Sequence, residues 1–362
     1  MPEKEQRISA PASNRHGNKH TGSRAQIRFR RFSHFHYHIL RRPRESGRQH
    51  CSNMKKLFST SHLRLPAAIL AVAVGISAAL AEQVTDNGLV FNLTTAADGT
   101  HTAELVKGDA NSYGVGLPTT LTVDNVVYQL TAIGDKAFQS CTNMEYVSIP
   151  NGLKSIGQYA FDGCTALKRV NLPEGLETIG RSAFNTCTSL TAADIPGSVK
   201  NLGDYAFYKC SSLAVLTLHE GLQTIGNMAF YRCSALSSLT LPSSVTSIGS
   251  SAFDGCSGLK TVELNEGLTK IGSSAFENCS FLTEITVPSS VNTLGASTFA
   301  WCTSLENVYI KGSISSLESY TFQICTSLQT VVLCKSDIDI YFDAFNGSQP
   351  KNVRGCLKTI VN

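Results

Sequence analysis

The chain has 362 residues, 42% of them hydrophobic and 16% charged, which is enough apolar material for a folded core. Its net charge of +4 hides an uneven split: residues 1–81 hold 15 Lys and Arg against 3 acids, and the remaining 281 hold 16 against 24, a net −8. An acidic body disfavours nucleic acid and anionic membrane as partners, because both need a basic face.

Residues 1–53 are basic and His-rich ("RFRRFSHFHYHILRRPRESGRQH") and carry no strand or helix periodicity. Translation starting at Met54 would explain them; if they are made, they are expected to be disordered or removed. A metal cluster of His34, His36 and His38, or an RNA-binding arm of arginines and aromatics, is the less economical reading. Residues 54–81 have the three-part layout of a secretory signal peptide. Lys55, Lys56 and Arg64 precede an apolar run from Leu65 to Leu80, and Ala79-Leu80-Ala81 supplies a small-x-small cleavage site before Glu82. The run contains Pro66 and Gly75 and falls short of the ~20 apolar residues that span a bilayer, so no membrane span is expected in the mature chain.

Residues 82–130 read as a strand-rich N-terminal cap, and residues 131–348 as a repeat with a period of 23. One column holds Cys141, Cys164, Cys187, Cys210, Cys233, Cys256, Cys279, Cys302 and Cys325. Three residues earlier runs a phenylalanine column that includes Phe161, Phe184, Phe207, Phe230, Phe253 and Phe276. Six and eight residues after each cysteine come alternating apolar pairs such as Val147/Ile149 and Val262/Leu264, the pattern of a short strand with one face buried. Pro then stops several of these strands. A second apolar pair, a glycine and an Ala-Phe word complete the copy. The expected fold is a repeat solenoid with a short parallel strand and one helical turn per 23-residue coil. About ten coils should stack in register, on the order of 50 Å in length, with residues 349–362 as a C-terminal cap.

The words "IGDKAFQSC", "IGQYAFDGC", "IGSSAFDGC" and "SVTSIGSSAF" resemble the BspA-like type of leucine-rich repeat found in bacterial surface antigens, over roughly residues 130–348. The resemblance implies a secreted or surface-displayed solenoid that binds host matrix proteins or other cells, with no catalytic residues and no cofactor. The chain departs from the pattern at its end, where Glu318 and Tyr341 replace the glycine and Ser348 replaces the cysteine.

A column puts the nine sulfurs in a line about 4.8 Å apart if the coils pair like strands. Four sulfurs in a line cannot surround zinc, so no metal is expected. Disulfides between neighbours satisfy the Cα spacing, but parallel side chains keep the Cβ atoms from converging. Buried free thiols packing as small hydrophobes are the expected state. Cys334 and Cys356 lie outside the column and could tie the last coil by a disulfide.

Function should sit on the outward residues. One candidate surface is the strand face, carrying Tyr146, Arg169, Asp194, Glu263, Glu284 and Tyr309. Its varied polar residues suit a binding face and equally an ordinary solvated sheet. The second flanks the Phe-Cys word with Tyr159, Tyr205, Tyr208, Tyr231, Tyr320 and the sole tryptophan, Trp301; such side chains anchor protein interfaces, stack on sugars, or shield the joints between coils. No GxSxG, HExxH, P-loop or dinucleotide motif is present, and only His101 and His219 follow residue 81, so an enzyme is not expected. Adhesion by protein recognition is the expected role, with glycan binding or a purely structural envelope role as alternatives.

Overall fold

The computed structural model describes residues 82–334, 338–355 and 357–361. The basic front, the signal-like segment, Cys51 and the Cys334–Cys356 pairing therefore lie outside the described residues. The fold begins with three antiparallel strands, β1 (Glu82–Asp86), β2 (Leu89–Thr95) and β3 (His101–Lys107). After β4 (Gly114–Gly116), β5 (Thr120–Val123) folds back on β6 (Val126–Ile133), and β6 also pairs parallel to β3. That parallel pairing turns an antiparallel lead-in into the first rung of a parallel stack.

From β6 onward the chain winds as a β-solenoid of about 11 coils, one more than the repeat columns suggest. The extra pass is made by Asn352–Arg354 and Leu357–Val361, which continue the stack without the phenylalanine and cysteine. Each regular coil contributes two parallel strands rather than one. The first is a two-residue piece before the glycine, such as Thr224–Ile225, paired to Ser247–Ile248 in a 23-residue register. These pieces extend the opening strands into a single 12-stranded sheet that ends at Thr293–Leu294. The next strand, Ser316–Leu317, belongs to a separate sheet and directly precedes Glu318, which occupies the glycine position.

Packing accounts for that boundary. A Cβ at Gly249 would sit 2.6 Å from the Asn227 nitrogen and 2.7 Å from the Gly226 carbonyl carbon of the preceding coil. Coils pass this closely only where the position has no side chain.

No helix forms among the described residues, and the expected helical turn is instead a run of tight turns. Tyr159 (φ 57°) and Gly163 (φ 75°) take left-handed backbone, as do their equivalents in neighbouring coils. The N–H groups of Tyr159, Phe161 and Gly163 donate forward to Arg181, Ala183 and Asn185 of the next coil at 3.0, 2.7 and 2.8 Å, while those of Asp162 and Cys164 reach back three residues. A helix would direct every N–H along its own axis; here every second one bonds the coils together, and the sequence periodicity cannot distinguish the two.

The second strand of each coil alternates in a way that doubles the period to 46 residues. Coils ending in Glu-Gly-Leu (Glu174-Gly175-Leu176, Glu220-Gly221-Leu222, Glu266-Gly267-Leu268) alternate with coils ending in Ser-Val (Ser198-Val199, Ser244-Val245, Ser290-Val291). The ladder is continuous from a Ser-Val coil to the next Glu-Gly-Leu coil, as in Ala192–Ile195 with Val215–Leu218, and breaks after each Glu-Gly-Leu coil. The strand residues before the breaks, Val170/Leu172, Leu216/Leu218 and Val262/Leu264, are half-buried, whereas Ala193/Ile195, Leu239/Leu241 and Ile285/Val287 are buried. Across the second break, Glu220 accepts bonds from the N–H and hydroxyl of Ser243 and from the N–H of Ser244 at 2.8, 3.0 and 3.2 Å. Glu266 holds Ser289 in the same way across the third.

Candidate functional site

The interior is a scaffold built from two stripes. Phe138 through Phe345 form an unbroken stack with ring centroids 5.0–5.9 Å apart, every ring within 15° of parallel to the next. The nine column cysteines are buried free thiols. From Cys164 onward each Sγ donates to the carbonyl oxygen of the phenylalanine one coil back, at 3.1 to 3.4 Å. Burial pushes the Cys164, Cys210 and Cys325 thiols up to about 12, so they remain protonated donors. Among the described residues no cluster of His, Cys, Asp and Glu is arranged to hold a metal, and no helix is long and apolar enough to cross a membrane.

The outward tyrosines and Trp301 lie along the turn edge. Two of its columns are forced into left-handed backbone in nearly every coil. In the position before the cysteine, Gly163 and Gly255 alternate with Thr186 (φ 56°), Lys209 (58°), Arg232 (56°), Asn278 (58°) and Trp301 (62°). For a residue with a Cβ this conformation costs about 1–2 kcal/mol, and glycine avoids that cost.

Tyr208 and Tyr231 stack across adjacent coils with centroids 4.8 Å apart at 7°, and Tyr205 tilts against Tyr208 at 5.6 Å. Three cations lie over these rings: Arg181 over Tyr205 at 5.0 Å, Lys209 over Tyr208 at 5.2 Å and Arg232 over Tyr231 at 5.2 Å. None of the three cations belongs to an ion pair among the described residues. The sequence reading assembled the tyrosines but missed these cations; Lys209 and Arg232 share the column before the cysteine, while Arg181 stands six residues before its own cysteine, and only the stacked coils bring it beside them. Tyr159 and Tyr320 share the Tyr205 column but stand far from it in opposite directions along the stack.

Beyond Arg232 the turn edge opens into a groove of about 400 Å³. Arg232, Asp254, Asn278 and Trp301 line it, with Gly255 at the gap between the two longer side chains and the hydroxyls of Ser257, Ser280 and Thr303 along one side. Trp301 is 43% exposed, and its backbone N–H donates to the Gln323 carbonyl oxygen at 2.7 Å. Asp254 Oδ1 accepts from Asn278 Nδ2 at 3.0 Å; partial burial raises the carboxyl to about 6, against the opposing effects of that bond and of Arg232.

The strand-face candidates are exposed but dispersed. Tyr146 and Arg169 are register neighbours, and Glu263 accepts from Thr240 Oγ1 at 3.1 Å. Asp194 lies 2.7 Å from Nε2 of His219, a residue that otherwise fills a proline slot. Glu284 and Tyr309 occupy adjacent coils in different columns. Neither of the two best-formed grooves among the described residues is lined by any of these six side chains.

Residues 131–243 and 223–351 match the BspA type leucine-rich repeat region. No curated protein matches the sequence. Among solved structures, a leucine-rich repeat protein from Bacteroides ovatus is 27% identical, covering 69% of this chain and 70% of that one at a TM-score of 0.50. The Treponema pallidum leucine-rich repeat protein is 28% identical over 62% of this chain and 91% of its own, at 0.48. A leucine-rich cell surface protein from Faecalibacterium prausnitzii is 24% identical over 74% and 86%, at 0.47. With the match running through both stripes and leaving out only the opening and closing strands, the chain belongs to the BspA-type leucine-rich repeat family.

Proposed function

We propose that the protein is a non-catalytic adhesive scaffold, exported by the segment 54–81 and displayed or secreted from Glu82 onward. It recognises a protein on a host, matrix or neighbouring cell. One observation carries this reading: the turn-edge run in which Arg181, Lys209 and Arg232 lie over Tyr205, Tyr208 and Tyr231, none of them within ion-pair distance of a carboxylate among the described residues. Tyr and Arg dominate the energetics of protein interfaces because they bury large area at low entropic cost and keep a polar tip. A basic patch led by Arg181 and Lys209 on a body of net −8 favours a partner segment that is acidic and carries apolar side chains.

Immobilised full chain is exposed to a panel of purified extracellular matrix proteins and binding is read by surface plasmon resonance. The double variant Tyr208→Ala/Tyr231→Ala should lose about tenfold or more in affinity while its circular dichroism spectrum is unchanged. Glu263→Lys should bind as the parent does. Loss of binding in Glu263→Lys alone would transfer the site to the strand face, and binding by neither surface would remove the adhesive role.

A further inference from the structure

We infer that the groove between Arg232 and Trp301 is a carbohydrate-binding site that takes a neutral oligosaccharide, with a pyranose ring lying on the Trp301 indole and its hydroxyls meeting Asp254, Asn278 and the Ser257–Ser280–Thr303 row. The site is distinct from the tyrosine stack, sharing only Arg232 with it.

Chemistry of the lining selects the ligand. A pyranose has an apolar face of C–H groups and a rim of hydroxyls that both donate and accept, so it needs a flat aromatic platform beside paired acceptors and donors. Trp301 supplies the platform: it is exposed, it stands at the groove wall, and no other aromatic ring stacks on it among the described residues. Asp254 supplies the acceptor. Its Oδ1 is held by Asn278 Nδ2 at 3.0 Å, which fixes both groups at the groove lining and uses only one of the two carboxylate oxygens and one of the two amide hydrogens in that bond. A side chain held in place by its neighbour loses little entropy when it binds.

The groove exists because of the residue between them. Gly255 has no side chain, and a Cβ there would meet Arg232 Cγ at 2.8 Å. The long stem of Arg232 therefore lies across that position, with its guanidinium at the end opposite the indole. Ser257, Ser280 and Thr303 repeat once per coil along the side, with Ser280 Oγ donating to the Ser257 carbonyl at 3.5 Å, and so place one hydroxyl-bearing residue per coil beside successive sugar rings. At about 400 Å³ the cavity falls within the roughly 300–1,000 Å³ range of small-ligand sites. Carboxylate and guanidinium together leave little net charge, which favours a neutral sugar over a polyanion.

Trp301 is the sole tryptophan of the chain, so its emission reports this groove alone. Full chain from Glu82 is screened on an array of neutral and acidic oligosaccharides, and each ligand found is titrated by tryptophan fluorescence, with lactose, maltotriose, cellotriose and chitotriose titrated in every case. A saturable change in emission with at least one neutral oligosaccharide, weakened about tenfold or more in both Asp254→Asn and Asn278→Ala with unchanged circular dichroism, supports the site. No saccharide binding, binding of acidic glycans alone, or binding that leaves the emission and both variants unaffected overturns it. Matrix-protein binding by Tyr208 and Tyr231 is read in a separate experiment without tryptophan emission, so either proposal can fail without the other.

Discussion

The Sγ of Cys256 donates to the carbonyl oxygen of Phe230, one coil back, at 3.2 Å. In the last phenylalanine coil the same place is taken by Ser348, whose hydroxyl donates to Phe322 and also accepts the N–H of Cys325 at 2.7 Å. A buried donor aimed at that carbonyl is what the column requires, and thiol and hydroxyl both provide it.

Cys256→Ser should therefore destabilise less than Cys256→Ala. The alanine variant loses the bond and leaves a small void, at about 1–3 kcal/mol, measured by urea unfolding. Thiol labelling should follow the same logic. After mild reduction, a maleimide should modify the exposed Cys334 in the native protein and reach the nine buried column cysteines only in denaturant, with peptide mapping as the readout.

Phe253 lies between Phe230 and Phe276 at 5.3 and 5.4 Å. Phe253→Ala should cost about 3–5 kcal/mol and lower the cooperativity of unfolding, because a solenoid is held by nearest-neighbour contacts and a central gap uncouples its two halves. Phe345, at the end of the stack and only partly buried, should cost less on the same substitution.

Gly249→Ala places a methyl against the backbone of the preceding coil, with contacts of 2.6–2.8 Å. Backbone cannot move aside as a flexible side chain can, so the coils must separate. The expected result is a drop of several degrees in Tm and faster hydrogen exchange at Ser247–Ile248 than elsewhere in that sheet. Gly152→Ala, with no atom within 4 Å but a left-handed backbone (φ 97°), should show strain without the exchange signature.

Two carboxylates should respond to pH with opposite signs. Burial raises Asp254 to about 6, so its favourable contribution is complete below the ordinary aspartate range and is lost as pH rises through about 6. Asp254→Asn should melt at a higher temperature than the parent at pH 7, and the gap should close towards pH 4. Bonds from the backbone and side chain of Ser243 and Ser244 lower Glu220, so its contribution is present above the ordinary glutamate range and lost as pH falls through the lowered value. Glu220→Ala should melt lower than the parent at pH 7 and converge with it in acid.

Much of the molecule was legible as period and column. A 23-residue spacing kept by Cys, Phe, Leu and Gly permits only coils stacked in register, since no single coil can bury those residues by itself. The sulfurs' common direction followed from the same reasoning, and so did the adjacency of Tyr208 and Tyr231. The 46-residue alternation was also written in the chain, as Glu-Gly-Leu against Ser-Val, but its effect was not. Whether a ladder breaks depends on hydrogen bonds between coils, which leave no periodic trace in hydrophobicity.

What only the tertiary structure decided is how the turn edge is shaped. Local sequence around Ala-Phe suits a helical turn, yet stacking diverts alternate N–H groups to the next coil and forces two positions per coil into left-handed backbone. Those positions aim Arg232, Asn278 and Trp301 outward from three different coils and leave Gly255 as the gap among them. A groove assembled from residues 23 apart exists only once the coils are packed, because the distances that define it run along the stack and not along the chain.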